Sequence, residues 1–502
     1  MSFTVFAAAA RDWPQYRGPN HDGVSTDRIN KNWIGSVTNP VWLVYLSNGL
    51  TSLTVSDGRV FTQVASDLDT DGLAHKESCV ALSAINGSIL WSTEIDASVA
   101  PLFPDLGVGF GDDGPRSTPV IENGSVYVLS SYLKLYRLNA TNGAIVWNTN
   151  LVAAFGGSVI PWQSAASPVV ENGLIYVNGN APTSALMAFS VTNGSLVWRS
   201  QNENMTHSTP VLTTMNGLRQ LIFATQRGLV SLDPLTGNLL WRTNYPFSYS
   251  GSLAASPAVY SNVVFVTGFY SQGSAAFEIL YTNATQVPRL LWSSTAHQSH
   301  WATPVCYQGC LFGQFTPDNA NAQLRCFDLW TGAPKWATNN FGRGAVLLVD
   351  DHLLIVTERG DLVLAKPNTN AYTEVARFLA MPDYYDATNK CWNAPAVCDG
   401  KVYVRSTSYA AAFDLSVPDL QLDSPERVPE DKLQLTIRTA NGTPVDSNRV
   451  PIMEVRASTD LALSAAQWTK LTDTLTLTNG IVRVTNLDAT PPHRFFIVAE
   501  PK

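Results

Sequence analysis

The chain has 502 residues, a formal charge of −8, 14% charged and 45% hydrophobic residues. With no run of Lys or Arg it lacks the basic footprint of a nucleic-acid-binding protein, and no apolar stretch reaches the roughly 18 residues that a membrane-spanning helix needs. Abundant Thr, Ser, Asn, Val, Gly and Trp suit strands and tight turns, so an all-β chain is expected.

Residues 1–11, MSFTVFAAAAR, carry a short apolar run and small residues before Arg11 but no basic start. They read as a truncated secretory signal, which predicts an exported protein: periplasmic, outer-membrane-associated or extracellular.

From there two phrases alternate. One is a polar turn closing on glycine with a tryptophan four residues later: INGSILW at Trp91, TNGAIVW at Trp147, TNGSLVW at Trp198, LTGNLLW at Trp241 and WTGAPKW at Trp336. Looser copies end at Trp42 and Trp292, and Phe378 takes the same slot. The other is a small residue, proline and an apolar residue, followed by a tight turn and an apolar run. It occurs at 117–130, 167–179, 208–217, 256–268, 303–313 and 394–406. Together the phrases supply four strands per unit, joined by turns whose Gly or Asn takes positive φ. A period of 42 residues or more with four strands per unit predicts a β-propeller.

Units fall near 51–91, 117–147, 167–198, 208–241, 255–292, 302–336 and 344–378. Asn393–Leu415 has three strands and no tryptophan, while Asn39–Leu46 has the tryptophan strand alone. The two halves complete each other, which predicts an eighth blade closing the ring between the chain ends; a seven-bladed ring is the alternative. Closure removes free sheet edges. The propeller is expected over 12–416 and a Pro-rich, charged linker over 417–429. A small C-terminal β-sandwich accessory module is expected over 430–502, with Asn479–Gly480 as a hairpin turn.

The loop entering the first strand of each blade opens on one face, so residues three positions before the repeated proline converge on a ring. These are Arg116, Ala165, His207, Ala254, Trp301 and Trp392, with Arg343 in the same register and His300 beside it. Arg116, His207, His300, Trp301, Arg343 and Trp392 thus form a candidate ligand site. A guanidinium forks onto carboxylate and indole stacks on flat or cationic groups, so an anionic, flat or sugar-like ligand suits it. The bland alternative is that these residues merely plug the axis. Asp112, Asp113 and Asp383 lie in two long loops expected on that face and are candidate calcium ligands or turn residues.

Six cysteines show no metal-ligand spacing. Cys306 and Cys310 are expected to face each other across a hairpin and Cys391 and Cys398 to flank another strand; disulfides and buried free thiols both remain open.

The Gly–Trp phrases resemble the tryptophan-docking repeats of quinoprotein-type propellers, over about 13–415. DWPQYRGPN (12–20), GPRSTP (114–119) and CWNAPAV (391–397) extend the likeness to exported PQQ-binding-like β-propeller repeat proteins. The resemblance implies that Trp42, Trp91, Trp147, Trp198, Trp241, Trp292 and Trp336 dock each blade on its neighbour. The superfamily includes both dehydrogenases that use pyrroloquinoline quinone and an outer-membrane assembly lipoprotein that binds none. The dehydrogenases have adjacent cysteines over the cofactor, and this chain has no Cys–Cys pair. The expectation is therefore a monomeric, non-catalytic binding or scaffold protein with a protein or glycan ligand and no cofactor. A quinone- and calcium-dependent alcohol or sugar dehydrogenase is the alternative.

Overall fold

The computed structural model describes residues 12–33, 35–68, 74–97, 114–247, 253–283, 285–317, 321–381, 390–489 and 495–500. The chain divides into two compact units, Met1–Leu415 and Ser416–Lys502. Asp112, Asp113 and Asp383, with the loops that carry them, lie outside the described residues.

In the first unit the described residues form eight sheets, each with four antiparallel strands, to which sheet VII adds a fifth, parallel strand. We number them I (54–97), II (120–150), III (169–200), IV (211–242), V (258–294), VI (305–338), VII (345–379) and VIII (396–414). The fourth strand of sheet VIII is Trp42–Tyr45, supplied from the other end of the unit and pairing Trp42 with Ala412.

Local chemistry sets these hairpins. The turn between the first two strands places two successive residues at positive φ, as at Asn123–Gly124, Asn172–Gly173, Asn216–Gly217 and Asp399–Gly400. That is the backbone whose twist matches the flanking strands, and Asn, Asp and Gly adopt it at least cost. Later, a bulge just before each of Trp91, Trp147, Trp198, Trp241, Trp292 and Trp336 shifts the register, for example between Ser231 and Leu232 opposite Trp241, while the Trp42 strand pairs without one. Such a bulge re-aims the side chain that follows.

The tryptophans dock sheet on sheet. Trp91 of sheet I donates its indole N–H to the Ala140 carbonyl of sheet II, Trp147 to Val191 of III and Trp198 to Pro234 of IV. Trp292 reaches Leu329 of VI and Trp336 reaches Asn368 of VII. Beneath Trp91, Trp147 and Trp198 lie Gly143, Gly194 and Gly237, where an added Cβ would come within 2.6 Å of an indole carbon. The repeated glycine is therefore needed both for its positive φ and for the ring's close approach. Phe378 of VII meets Phe413 of VIII edge on at 5.0 Å, and Trp42 of VIII donates to Ala84 of I.

Trp241 departs from this pattern: its indole bonds to Gln220 of its own sheet. The next sheet offers no glycine turn there, because Gly273–Thr282 and Thr285–Ser294 run on as a long ribbon. Sheets IV and V are joined instead through Leu239–Arg242 against that ribbon and by the Asn216 amide donating to Ile279.

The segment 12–25 lies along the innermost strands. Trp13 bridges Val55 of sheet I, the Pro14 carbonyl accepts from Ile121 of II, and Val24–Ser25 adds a parallel strand to Leu348–Val349 of VII. Arg17, buried at 4% exposure, donates to the carbonyls of Asp22, Thr303 and Pro304. One guanidinium thus ties this strap to sheet VI.

All six cysteines are free thiols. Cys306 pairs with Leu311 and Cys310 with Tyr307, so the two thiols are offset by one residue rather than opposed across the hairpin. Burial raises the pKa of the Cys391 thiol to about 12.

The second unit contains two sheets. Lys432–Thr439 pairs with Ile481–Asp488, which pairs with Leu475–Thr478; Glu454–Ser458 pairs with Phe495–Ala499 and Thr469–Lys470. Leu435, Ile437, Val455, Val482 and Val484 make a common core. The stretch expected as a linker, 417–429, instead adds the strands Leu420–Leu422 and Glu426–Val428 to this sheet. Its prolines, 418, 425 and 429, flank the two strands, where a missing N–H costs no ladder bond.

Candidate functional site

Hydroxyl groups join the innermost strands. The Ala394 N–H donates to Ser52 Oγ, Ser52 N–H to Thr118 Oγ1, Thr118 N–H to Ser167 Oγ and Ser167 N–H to Thr209 Oγ1. Ser256 N–H donates to Thr303 Oγ1 in the same way. This explains the Ser or Thr before the repeated proline: it satisfies a backbone donor of the preceding sheet, which would otherwise be buried and unpaired.

Just outside this belt lies a cavity of about 300 Å³. Its wall contains every residue of the predicted register, Arg116, Ala165, His207, Ala254, Trp301, Arg343 and Trp392, together with His300. The eighth sheet's worth of wall is Leu50, which sequence reasoning did not single out. Ser52, Thr118, Ser167 and Thr209 of the belt and Tyr16 of the strap also line it.

Cations and aromatic rings dominate the wall. Trp301 and Trp392 lie with centroids 4.2 Å apart and planes inclined by 39°. The Lys390 ammonium sits 4.4 Å from the centroid of Trp392, and the Arg343 guanidinium 5.7 Å from Trp301 and 5.1 Å from Phe269. Among the described residues no carboxylate lines the cavity or pairs with these two cations. Glu358 stands behind the wall, accepting from the Trp392 indole at 2.9 Å and from the Arg343 backbone at 3.2 Å. Arg116 donates to the Trp162 carbonyl at 3.1 Å.

His207 is 6% exposed and Asn393 3%. Burial, followed by the positive charges of Arg116 and His300, pulls the His207 pKa down to about 3, so its ring is neutral at pH 7. The Pro161 carbonyl faces the ring and opposes that shift. Both amide atoms of Asn393 and the Trp301 indole nitrogen are buried without a hydrogen-bond partner. Buried polar atoms are nearly always paired, so these mark a site that a ligand or water completes.

Trp162, Lys390, Asn393 and Tyr16, like Leu50 and Tyr270, are wall residues that sequence reasoning missed. Trp162 and Gln163 both hold positive φ, 67° and 62°, an uncommon backbone for such residues that brings the loop to the cavity. Lys390 and Asn393 flank Trp392 in KCWN, and Tyr16 lies in the DWPQYRGPN strap. Neither place belongs to the repeat.

The sheets, their tryptophan docking and the converging wall define a PQQ-like β-propeller protein. Residues 75–338, just over half of the chain, match the model of the family described as "Outer membrane protein assembly factor BamB", and the chain belongs to that family. The outer membrane protein assembly factor BamB of Yersinia pestis is 25% identical over 179 residues, 34% of this chain. The chain spans about two fifths of that relative's length, 39%. Among solved structures, the quinohemoprotein alcohol dehydrogenase of Comamonas testosteroni aligns with a TM-score of 0.56 at 14% identity, covering 89% of this chain and 85% of that one. The alcohol dehydrogenase ADHIIG of Pseudomonas putida HK5 aligns at 0.55 and 11% identity, covering 84% of each. Those likenesses carry the fold alone.

The fold therefore raises the question of quinone and calcium. The cationic wall suits an organic anion. A calcium ion needs carboxylate and carbonyl oxygens; among the described residues no carboxylate lines the cavity, and Asp112, Asp113 and Asp383 lie outside the described residues. The chain also has no adjacent cysteines.

Proposed function

We propose that this protein is an exported, non-catalytic binding or scaffold propeller of the cell envelope or exterior. Its eight sheets act as the blades of one closed ring, and the C-terminal unit is an accessory β-sandwich. The axial cavity takes a carboxylate carried by a protein or a glycan. One observation carries the reading: Arg343 and Lys390 stand over an indole pair in a cavity whose described wall has no carboxylate of its own. Cations beside aromatic faces, without a carboxylate partner among the described residues, favour an anion with a flat or ring-shaped body. Membership of a family named for outer membrane protein assembly supports an envelope setting, and among the described residues no helix is long and apolar enough to cross a membrane.

The test is a titration of the purified protein with small carboxylates, followed by the fluorescence of Trp301 and Trp392. Saturable quenching that weakens at least tenfold in Arg343→Ala and Trp392→Ala supports the reading; no saturable binding of any carboxylate overturns it. The quinone-dependent oxidoreductase, kept open by the fold, is tested in parallel with pyrroloquinoline quinone and calcium. A bound chromophore and dye reduction with alcohols or sugars would establish that alternative.

A further inference from the structure

We propose that the cavity is a subsite for a uronic acid, the carboxylated pyranose of an acidic polysaccharide. This rests on the reading of the cavity as a carboxylate site and narrows it.

The argument comes from the kind of hydrogen-bonding groups left without partners. A ligand made only of carboxylates or ring carbonyls presents acceptors, and would be matched by donors alone. This cavity offers both kinds. Arg343, Lys390 and the Trp301 indole N–H are donors. The Asn393 Oδ1 is an acceptor, buried and unpaired beside its equally unpaired Nδ2. His207 is a neutral imidazole, one nitrogen a donor and the other an acceptor. Ser52, Ser167, Thr118 and Thr209, whose oxygens already accept a belt N–H, add O–H donors to the wall. A buried acceptor left without a donor is costly, so the ligand that fits best brings O–H groups as well as a negative charge. A sugar hydroxyl both donates and accepts, and so answers an amide, an imidazole or a hydroxyl equally well.

Size and shape agree. At about 300 Å³ the cavity lies at the lower end of the range for ligand sites, roughly 300–1,000 Å³, which suits a single ring. Trp162, Trp301 and Trp392 supply flat apolar walls for the C–H faces of a pyranose, while Arg343 and Lys390 take its carboxylate. The chain as a whole carries a charge of −8, so these cations select an anion against the general field of the molecule.

The experiment uses the full chain and four probes: D-glucuronate, a trigalacturonate, D-glucose and succinate, with an acidic pentapeptide as a fifth. Glucose has the hydroxyls without the charge; succinate and the peptide have the charge without the ring of hydroxyls. Glucuronate is expected to bind at least tenfold more tightly than glucose, succinate and the peptide. Arg343→Ala should abolish its advantage over glucose, and Asn393→Ala its advantage over succinate. Trigalacturonate binding more tightly than glucuronate would identify a polysaccharide chain as the source, and equal binding a free sugar acid or chain end. Succinate or the peptide binding as tightly as glucuronate overturns the uronate inference while leaving the carboxylate site standing. Glucose binding as tightly as glucuronate overturns it too. Should no carboxylate bind at all, the cavity reading fails with it. Because the comparison among probes is made on the wild-type chain, it holds even where a variant folds poorly.

Discussion

Trp42 donates its indole N–H to the Ala84 carbonyl at 3.1 Å, joining the outermost strand of sheet VIII to sheet I. Its ring is 6% exposed and lies over Gly87, where a Cβ would stand 2.8 Å from an indole carbon.

Trp42→Ala should therefore cost about 3–5 kcal/mol, the usual range for removing a buried Trp side chain. Trp42→Phe, which keeps the packing and loses the hydrogen bond, should cost less. Gly87→Ala, strained by its φ of +71° and by contact with the ring, should resemble Trp42→Ala. Urea unfolding of the three variants checks the order; a Gly87→Ala protein as stable as the parent would contradict the docking geometry.

The strap stands or falls with Arg17. Its guanidinium satisfies carbonyls of Asp22, Thr303 and Pro304 within 2.8–2.9 Å, and hydrogen bonds to charged groups contribute about 1.5–3 kcal/mol each. Arg17→Ala should lower stability by at least about 2 kcal/mol and speed amide exchange across 12–25. Arg17→Lys should rescue little, because an ammonium lacks the planar fork.

Glu77 sets an alkaline limit. Its carboxyl is 3% exposed and accepts the Ser131 N–H. Burial, helped by the Asp96 charge, raises its pKa from 4.5 to about 8. Below about pH 4.5 folded and unfolded forms are both protonated and its contribution is complete. Between 4.5 and 8 the unfolded carboxyl ionises while the folded one does not, so stability falls as pH rises and then levels. Glu77→Gln should remove that loss, on the order of a few kcal/mol. Urea midpoints at pH 5 and pH 9 should draw apart in the parent and less in the variant.

His207 works in the opposite direction. Its folded pKa of about 3 lies below the ordinary 6.5, so its contribution is present above about pH 6.5 and declines as pH falls towards 3, where the unfolded ring takes a proton that the folded ring refuses. NMR titration should show the His207 ring still neutral at pH 5. Binding of a carboxylate should accordingly stay level between pH 5 and 8, since Arg343 and Lys390 supply the charge. An affinity rising tenfold over that acid limb would place a protonated histidine in the site.

Much of the molecule was legible because docking is periodic. Trp91 and Gly143, or Trp198 and Gly237, must stand at fixed heights to meet, so the spacing exposes both the sheets and the register of the wall, and Arg116, His207, Trp301, Arg343 and Trp392 follow from it. Trp241 shows the limit: the same phrase occurs, but its neighbour has a ribbon in place of a glycine turn, and the indole turns inward to Gln220. Tyr16, Trp162, Lys390 and Asn393 escaped notice because they reach the cavity by routes that no repeat encodes. Tyr16 comes on the strap, Trp162 on a positive-φ loop, and Lys390 and Asn393 lie to either side of a register position. The strands at 420–422 and 426–428 were hidden by prolines that sit at their ends.

Trp42 pairs with Ala412 and Val24 with Leu348, so these two strands find their partners only after the sheets between them in sequence have been made. The growing chain can assemble its middle sheets in turn, but sheets VII and VIII wait for both their early strands and their late ones. A protease that removed the segment through Tyr45 after assembly would strip the parallel strand from sheet VII and the fourth strand from sheet VIII at a stroke.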